Sequence, residues 1–201
     1  MRQPVSKIVL TGGPGAGKTT AADLFRARSA SRSWSCPSPP RRCSRVVSRG
    51  STTTRSSGRS SAVFEVQASS EEIQRELYPD RVLLCDRGTV DGAAYWPEGP
   101  KGFFEAMGTT HEAELGRYEV VLFFETAAVG DIAFEGGNRY RTEDNLQAVA
   151  LDRRLRDLWS PHPGYHFIAH QASFLAKLTN ALRILGEVVD GGWPVPGAGS
   201  S

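Results

Sequence analysis

The stretch Lys7-Ile8-Val9-Leu10-Thr11-Gly12-Gly13-Pro14-Gly15-Ala16-Gly17-Lys18-Thr19-Thr20 decides how the whole chain is read. A β-branched apolar run, Ile8 to Thr11, feeds a glycine-rich turn of the form G-x-x-x-x-G-K-[ST], and an amphipathic segment from Thr19 to Arg28 follows, with Ala21, Ala22, Leu24 and Phe25 expected to form its inward face. Glycines tolerate positive φ and carry no Cβ, so the backbone N–H groups between Gly13 and Thr19 can converge on one concavity and approach a phosphate closely. A helix starting near Lys18 adds its N-terminal partial positive charge to the same spot. Gly12, Gly13, Pro14, Gly15, Ala16, Gly17, Lys18, Thr19 and Thr20 are therefore the expected phosphate cradle, a P-loop. Lys18 supplies a mobile point charge for the β- and γ-phosphates, and the Thr19 hydroxyl is placed to hold Mg²⁺.

The 201 residues suit one α/β domain with a sizeable core and are too few for two comfortable ones. A single nucleotide-binding unit is expected over residues 1–190, followed by a flexible Gly/Pro/Ser-rich tail over 191–201. A formal net charge of +2 implies no strongly charged partner by itself. No apolar run of about 18 residues is present, and Met1 leads to a strand without a signal peptide, so no membrane span and a cytoplasmic location are expected. Cys36, Cys43 and Cys85 form neither an even disulfide framework nor a C-x-x-C pair, and Cys85 reads as a buried small hydrophobe.

Residues 28–61 break the pattern. They hold 8 Arg and 12 Ser in 34 residues and no Asp, Glu, Lys, Leu, Ile or Phe. Such a segment cannot bury enough apolar surface to offset the entropy of ordering, so it is expected to be largely disordered. A second βα unit belongs here, and Val46-Val47 is the only candidate for its strand. The second strand is thus expected to be missing, which would leave a raw edge beside the first one. Arg, Ser, Pro, Gly and Cys are what GC-rich codons yield in a shifted frame, so a compensated frameshift between about residues 27 and 62 is one reading. The other is a functional basic arm, the one feature that would bring nucleic acid or another phosphate polymer in as a partner.

Periodicity returns at Ala62. Val63, Val66, Ile73 and Leu77 predict a helix from Val63 to Tyr78 with a break near Ser69-Ser70. Arg81 to Asp86 reads as a buried parallel strand whose carboxyl end faces a ligand. Asp86 is the candidate for Mg²⁺ coordination or for accepting a substrate hydroxyl proton, the alternative being a helix N-cap. Arg87 has the donors to grip a phosphate or substrate anion, or is a plain surface arginine. Asp91 to Pro97 predicts a short helix ending in Tyr95 and Trp96, which either wall a substrate site or form a packed aromatic corner. His111, among Glu112 and Glu114, reads as solvated.

Glu119 to Glu125 predicts the next buried strand, followed by an irregular, glycine-containing stretch to Asn138. A long loop here carries Arg139 and Arg141, which are candidates for a mobile lid that neutralises charge on a transferring phosphoryl group; the alternative is a basic loop paired with Glu143 and Asp144. The helix from Glu143 to Trp159 is expected to turn Leu146, Val149, Ala150, Leu155 and Leu158 inward and Arg153, Arg154 and Arg156 outward. Tyr165 to Ala169 is a plausible last strand and Phe174 to Val189 the last helix. Between them Gln171 stands where a purine could be contacted, unless Ser173 merely caps the helix.

Taken in order, Gly12 to Thr19, Leu83-Leu84-Cys85-Asp86-Arg87-Gly88, Gly137-Asn138-x-Tyr140-Arg141-x-Glu143 and His170-Gln171-Ala172-Ser173-Phe174 resemble the NadR-type AAA-like P-loop family. That family includes nicotinamide riboside kinase domains and translocation-defect-type ATP-binding proteins. The resemblance covers roughly residues 5–28 and 62–190 and implies an α/β P-loop NTPase fold, a three-layer parallel sheet with helices on both faces. It also implies ATP or GTP with Mg²⁺ and, in some relatives, phosphorylation of a small hydroxyl substrate. The expected activity is a kinase-like phosphotransferase or ATPase, with Lys18, Asp86, Arg139 and Arg141 in catalytic roles, Arg87 and Gln171 on the nucleotide, and Thr19 and Asp86 on the metal. The alternatives are a nucleotide-dependent switch without a small acceptor and a non-functional frameshifted product.

Overall fold

The structure, a computed structural model, describes residues 7–28, 53–132 and 139–191, with side chains over 7–27, 61–130 and 145–190. In chain order the elements are β1 (Lys7–Gly12), α1 (Lys18–Arg28), α2 (Thr53–Leu77), β2 (Leu83–Asp86), a 3₁₀-helix (Thr89–Tyr95), α3 (Gly99–Ala106), α4 (His111–Leu115), β3 (Val120–Phe124), α5 (Ala128–Ile132), α6 (Arg139–Trp159), β4 (Tyr165–Ile168) and α7 (Phe174–Gly191). The four strands form one parallel sheet in the order β2-β1-β3-β4.

Side chains alternate across a strand, so a sheet covered on both faces needs continuous apolar runs. Ile8, Leu10, Leu84, Leu122 and Phe124 face one layer, where Ala21 and Phe25 of α1 and Leu178, Ala181 and Leu185 of α7 cover them. Val9, Cys85, Val121 and Phe123 face the other, against Phe103, Phe104, Tyr118, Leu155 and Trp159. This is the expected three-layer α/β arrangement, with Cys85 buried as a small hydrophobe.

Several expectations need correction. β1 lies between β2 and β3, so it is not left beside a raw edge; among the described strands the outer ones are β2 and β4. Helix α2 begins at Thr53, inside the Arg/Ser-rich segment, and runs unbroken through Ser69 and Ser70. Two inward groups pin it there: Gln67 donates to the Arg87 carbonyl at 2.6 Å, and Glu71 is fully buried. The remainder of that segment, with Cys36, Cys43 and Val46-Val47, lies outside the described residues, as does the tail beyond Gly191. The short helix after β2 is a 3₁₀-helix, and Trp96 packs edge-on against Phe103 in an aromatic corner. His111 is not solvated: its ring stacks on Phe104 and its Nε2 pairs with the Leu158 carbonyl at 2.7 Å. Glu114 is buried too, accepting from the Thr89 hydroxyl at 2.6 Å. Leu24, Leu146 and Ala150 are exposed, because α1 and the first half of α6 meet the sheet over narrower faces than their apolar residues suggest.

Below the amino end of the sheet, Glu71 joins the layers. Its Oε2 lies 3.1 Å from the Lys7 ammonium and 3.5 Å from Arg117, and its Oε1 accepts from the Tyr118 hydroxyl at 2.9 Å and from Gln67 at 3.2 Å. Removing this carboxylate strands a lysine that is only 5% exposed. Glu71→Ala should therefore cost about 3–5 kcal/mol in urea unfolding, against a near-neutral effect for the exposed neighbour Glu72→Ala.

Candidate functional site

The P-loop links the carboxyl end of β1 to α1. Gly12 turns at φ 126°, a region closed to most L side chains, and lies so close to the Phe124 carbonyl oxygen that a Cβ has no room. Lys18, at the first turn of α1, is buried and donates to the Gly12 and Gly13 carbonyls at 2.8 and 2.7 Å. The next residue, Thr19, is exposed, and its hydroxyl donates to Asp86 Oδ2 at 2.8 Å. This contact follows from sheet register: Leu10 pairs with Asp86, so the acid at the end of β2 stands level with the P-loop entrance. Asp86 does not cap the following 3₁₀-helix, whose N-cap is Gly88.

Arg87 adopts φ 80°, the one described non-glycine residue at positive φ, while its N–H still donates to the Leu10 carbonyl at 2.9 Å. A residue held there is strained by about 1–3 kcal/mol and persists because its surroundings over-determine it. Here the Gln67 amide fixes the carbonyl, and the guanidinium pairs with Asp91 at 3.3 Å and bonds the Tyr95 phenol. Asp91 is buried and collects three groups: Thr11 and Trp159 Nε1 each donate to its Oδ1 at 2.7 Å, and Arg87 meets its Oδ2.

Burial, and then the positive charge of Arg87, push the Lys18 ammonium down to about 8, against the pull of Asp91, Asp86 and Asp152. Arg87 itself is raised despite burial, because Asp91, Tyr95 and Asp86 favour its charge. Lys18 and Arg87 thus repel one another across the mouth of the P-loop. An anion between them would relieve that repulsion.

The structure brings Lys18, Thr19, Asp86 and Arg87 together. Arg139 and Arg141 are not on a loop: they form the first turn of α6, with side chains outside the described residues. Gln171 is half-buried in the link between β4 and α7, and Ser173 caps α7 by accepting from Ala176 N at 3.3 Å. Sequence reasoning missed Asp91, Thr126 and Asp152. Asp152 Oδ1 accepts from Gly13 N at 2.8 Å and Thr126 N at 2.9 Å, and the Thr126 hydroxyl donates to the Pro14 carbonyl at 2.7 Å. One signal for Asp152 was available, since it stands three and seven residues before the inward Leu155 and Trp159, a carboxylate on an apolar stripe.

Thr19 and Asp86 offer hard oxygen donors at the phosphate cradle, which fits Mg²⁺. Among the described residues no group of three or more His, Cys, Asp or Glu converges on a metal, so such an ion would draw its remaining ligands from phosphate and water.

A parallel sheet with this cradle at the carboxyl end of an inner strand defines a P-loop NTPase-like protein. A family model described as AAA domain matches residues 7–174, and the chain belongs to that family of nucleotide-binding P-loop proteins. No curated protein matches it significantly. Among the described residues no helix is long and apolar enough to cross a membrane.

The lowered pKa of Lys18 gives a signed prediction. A phosphate held by the Lys18 ammonium would lose that partner's charge as pH rises through about 8, so the Kd for a nucleoside triphosphate measured by calorimetry should climb towards tenfold per pH unit above that value. Lys18→Met should bind weakly at every pH and lose the dependence. Stability of the nucleotide-free protein runs the other way: the unfolded lysine, at 10.5, binds more protons than the folded one between about 8 and 10.5, so this group's contribution rises with pH there.

Proposed function

We propose that the protein binds ATP, with GTP as the other candidate, together with Mg²⁺, and transfers the terminal phosphoryl group to a hydroxyl of a small molecule. The observation that carries this reading is the pair of mutually repelling cations, Lys18 and Arg87, set beside the Thr19–Asp86 contact. Phosphoryl transfer asks a protein chiefly for positioning and for positive charge where the equatorial oxygens lie. Lys18 takes the β- and γ-phosphates, with the backbone N–H groups from Gly15 to Thr20 around them. Thr19 and Asp86 would hold the cation, which would supply positive charge to neutralise those same oxygens. Arg87 grips the transferring group or an acceptor anion. Arg139 and Arg141, leading α6, close over the phosphates. In the reaction the acceptor oxygen bonds to the γ-phosphorus as the bond to the β-bridging oxygen breaks, and the hydroxyl proton leaves to Asp86 or to water.

The resemblance to nicotinamide riboside kinase domains makes ribosides the first acceptors to try, and a reaction fed by nucleoside triphosphate belongs in the cytoplasm. The whole site falls within one unit over residues 1–190. ADP release should be measured with MgATP against a panel of small hydroxyl compounds, ribosides included. One of them should raise turnover at least tenfold above the water rate, and Asp86→Asn and Arg87→Ala should each lower the stimulated rate by about 100-fold. Stimulation by none of them would sink the kinase reading and leave a nucleotide-dependent switch.

A further inference from the structure

Among the described side chains, helix α6 is buried most deeply from Asp152 onward. From Asp152 onward it is clamped: Asp152 is 4% exposed, Leu155 and Trp159 are fully buried, and the Trp159 indole donates to Asp91 Oδ1 at 2.7 Å. Over residues 145–151 half-buried and exposed side chains alternate, with Leu146 54% exposed and Gln147 and Ala150 also exposed. The first turn, with Arg139 and Arg141, stands about 20 Å along the helix from Asp152. Helix α6 is thus the backbone link between Asp152 and the two arginines.

Among the described hydrogen bonds, helix α6 meets the phosphate cradle through one oxygen. Asp152 Oδ1 accepts both from Gly13 N of the P-loop and from Thr126 N beyond β3. The fit is close, since a Cβ at Gly13 would lie 2.5 Å from that oxygen and 2.9 Å from Thr126 Cβ. The Gly12–Gly13 peptide is gripped from two ends, its N–H by Asp152 and its carbonyl by Lys18 at 2.8 Å. When Lys18 leaves that carbonyl for a phosphate, the change occurs in the peptide unit that Asp152 holds. We infer that Asp152 is a positioning residue that registers α6, and through it Arg139 and Arg141, on a triphosphate held in the P-loop. This rests on the phosphoryl-transfer reading above, in which those two arginines act on the phosphates.

One carboxylate oxygen does the holding, and the amide oxygen of asparagine can do the same. The test compares Asp152→Ala, Asp152→Asn and Arg141→Ala in the full chain, using MgATP turnover with the stimulating acceptor, calorimetric nucleotide affinity and amide exchange over residues 139–151 with and without ATPγS. Asp152→Ala should lower kcat at least tenfold while changing nucleotide Kd less than threefold. Adding Arg141→Ala to it should cost no more than Asp152→Ala alone, and Asp152→Asn should keep most of the wild-type kcat. A matched loss of affinity and kcat, or full additivity with Arg141→Ala, would overturn the proposal and reduce Asp152 to a scaffold of the P-loop. If Asp152→Ala does not fold, Asp152→Glu keeps the charge but misplaces the oxygen by a methylene, and should show the same kcat loss. If wild type binds MgATP yet turns over nothing, the phosphoryl-transfer reading fails. The coupling is then judged by exchange alone: ATPγS should alter exchange over residues 139–151 in wild type and Asp152→Asn but not in Asp152→Ala or its Glu replacement, and equal alteration in all would overturn it.

Discussion

β1 has no free surface. It is hydrogen-bonded on both edges, to β2 and β3, and covered on both faces, by α1 and α7 on one side and by the 3₁₀-helix and α6 on the other. Whatever is attached to its carboxyl end is fixed with respect to everything else, and that is where the P-loop leaves. The level of Asp86 is set by its pairing with Leu10, and the close approach of Gly12 to Phe124 is set by the adjacent ladder with β3. The geometry of the cradle is thus a consequence of register. A slip by one residue in either ladder would turn every inward side chain to the wrong layer, and burial on both faces forbids it.

Charge is arranged with the same economy. Asp91 offsets Arg87 and receives Thr11 and Trp159, so a carboxylate from the 3₁₀-helix links the strand, the strained arginine and the last turn of α6. Lys18 has no carboxylate of its own and leans on two backbone carbonyls. Arg87 is thus held in an ion pair with Asp91, while the hydrogen bonds described for the Lys18 ammonium go to backbone carbonyls. An anion reaching the Lys18 ammonium would have to displace only backbone carbonyls among its described hydrogen-bond partners.

How much of this was legible in the sequence depended on distance along the chain. Gly12 to Thr19 could be read because the cradle is built from consecutive residues, and the strands could be read because burial on both faces demands unbroken apolar runs. Leu24, Leu146 and Ala150 misled, since periodicity says which residues share a face and not how much of that face a neighbour covers. Asp152 and Glu71 escaped because their meaning lies in partners far away: Asp152 meets Gly13 across 139 residues and Glu71 meets Lys7 across 64. Composition pointed to disorder up to Ser61, whereas α2 starts at Thr53, where tertiary anchoring of Gln67 and Glu71 outweighs weak local propensity. Arg139 and Arg141 were placed on a loop because nothing local marks the start of α6 four residues before Glu143.

β1 is also made well before both of the strands it pairs with. On the ribosome, β1 emerges long before either neighbour, since Glu119, whose carboxylate accepts from the Lys7 N–H, follows 112 residues later. At ordinary elongation rates that is a delay on the order of ten seconds, during which a fully apolar strand has no sheet to join. Pairings this remote close slowly, and parallel ones slowest of all. The feature that makes the phosphate cradle rigid in the finished molecule therefore makes the nascent chain dependent on shelter, and its yield in cells should answer to chaperone supply more than to the stability of the folded product.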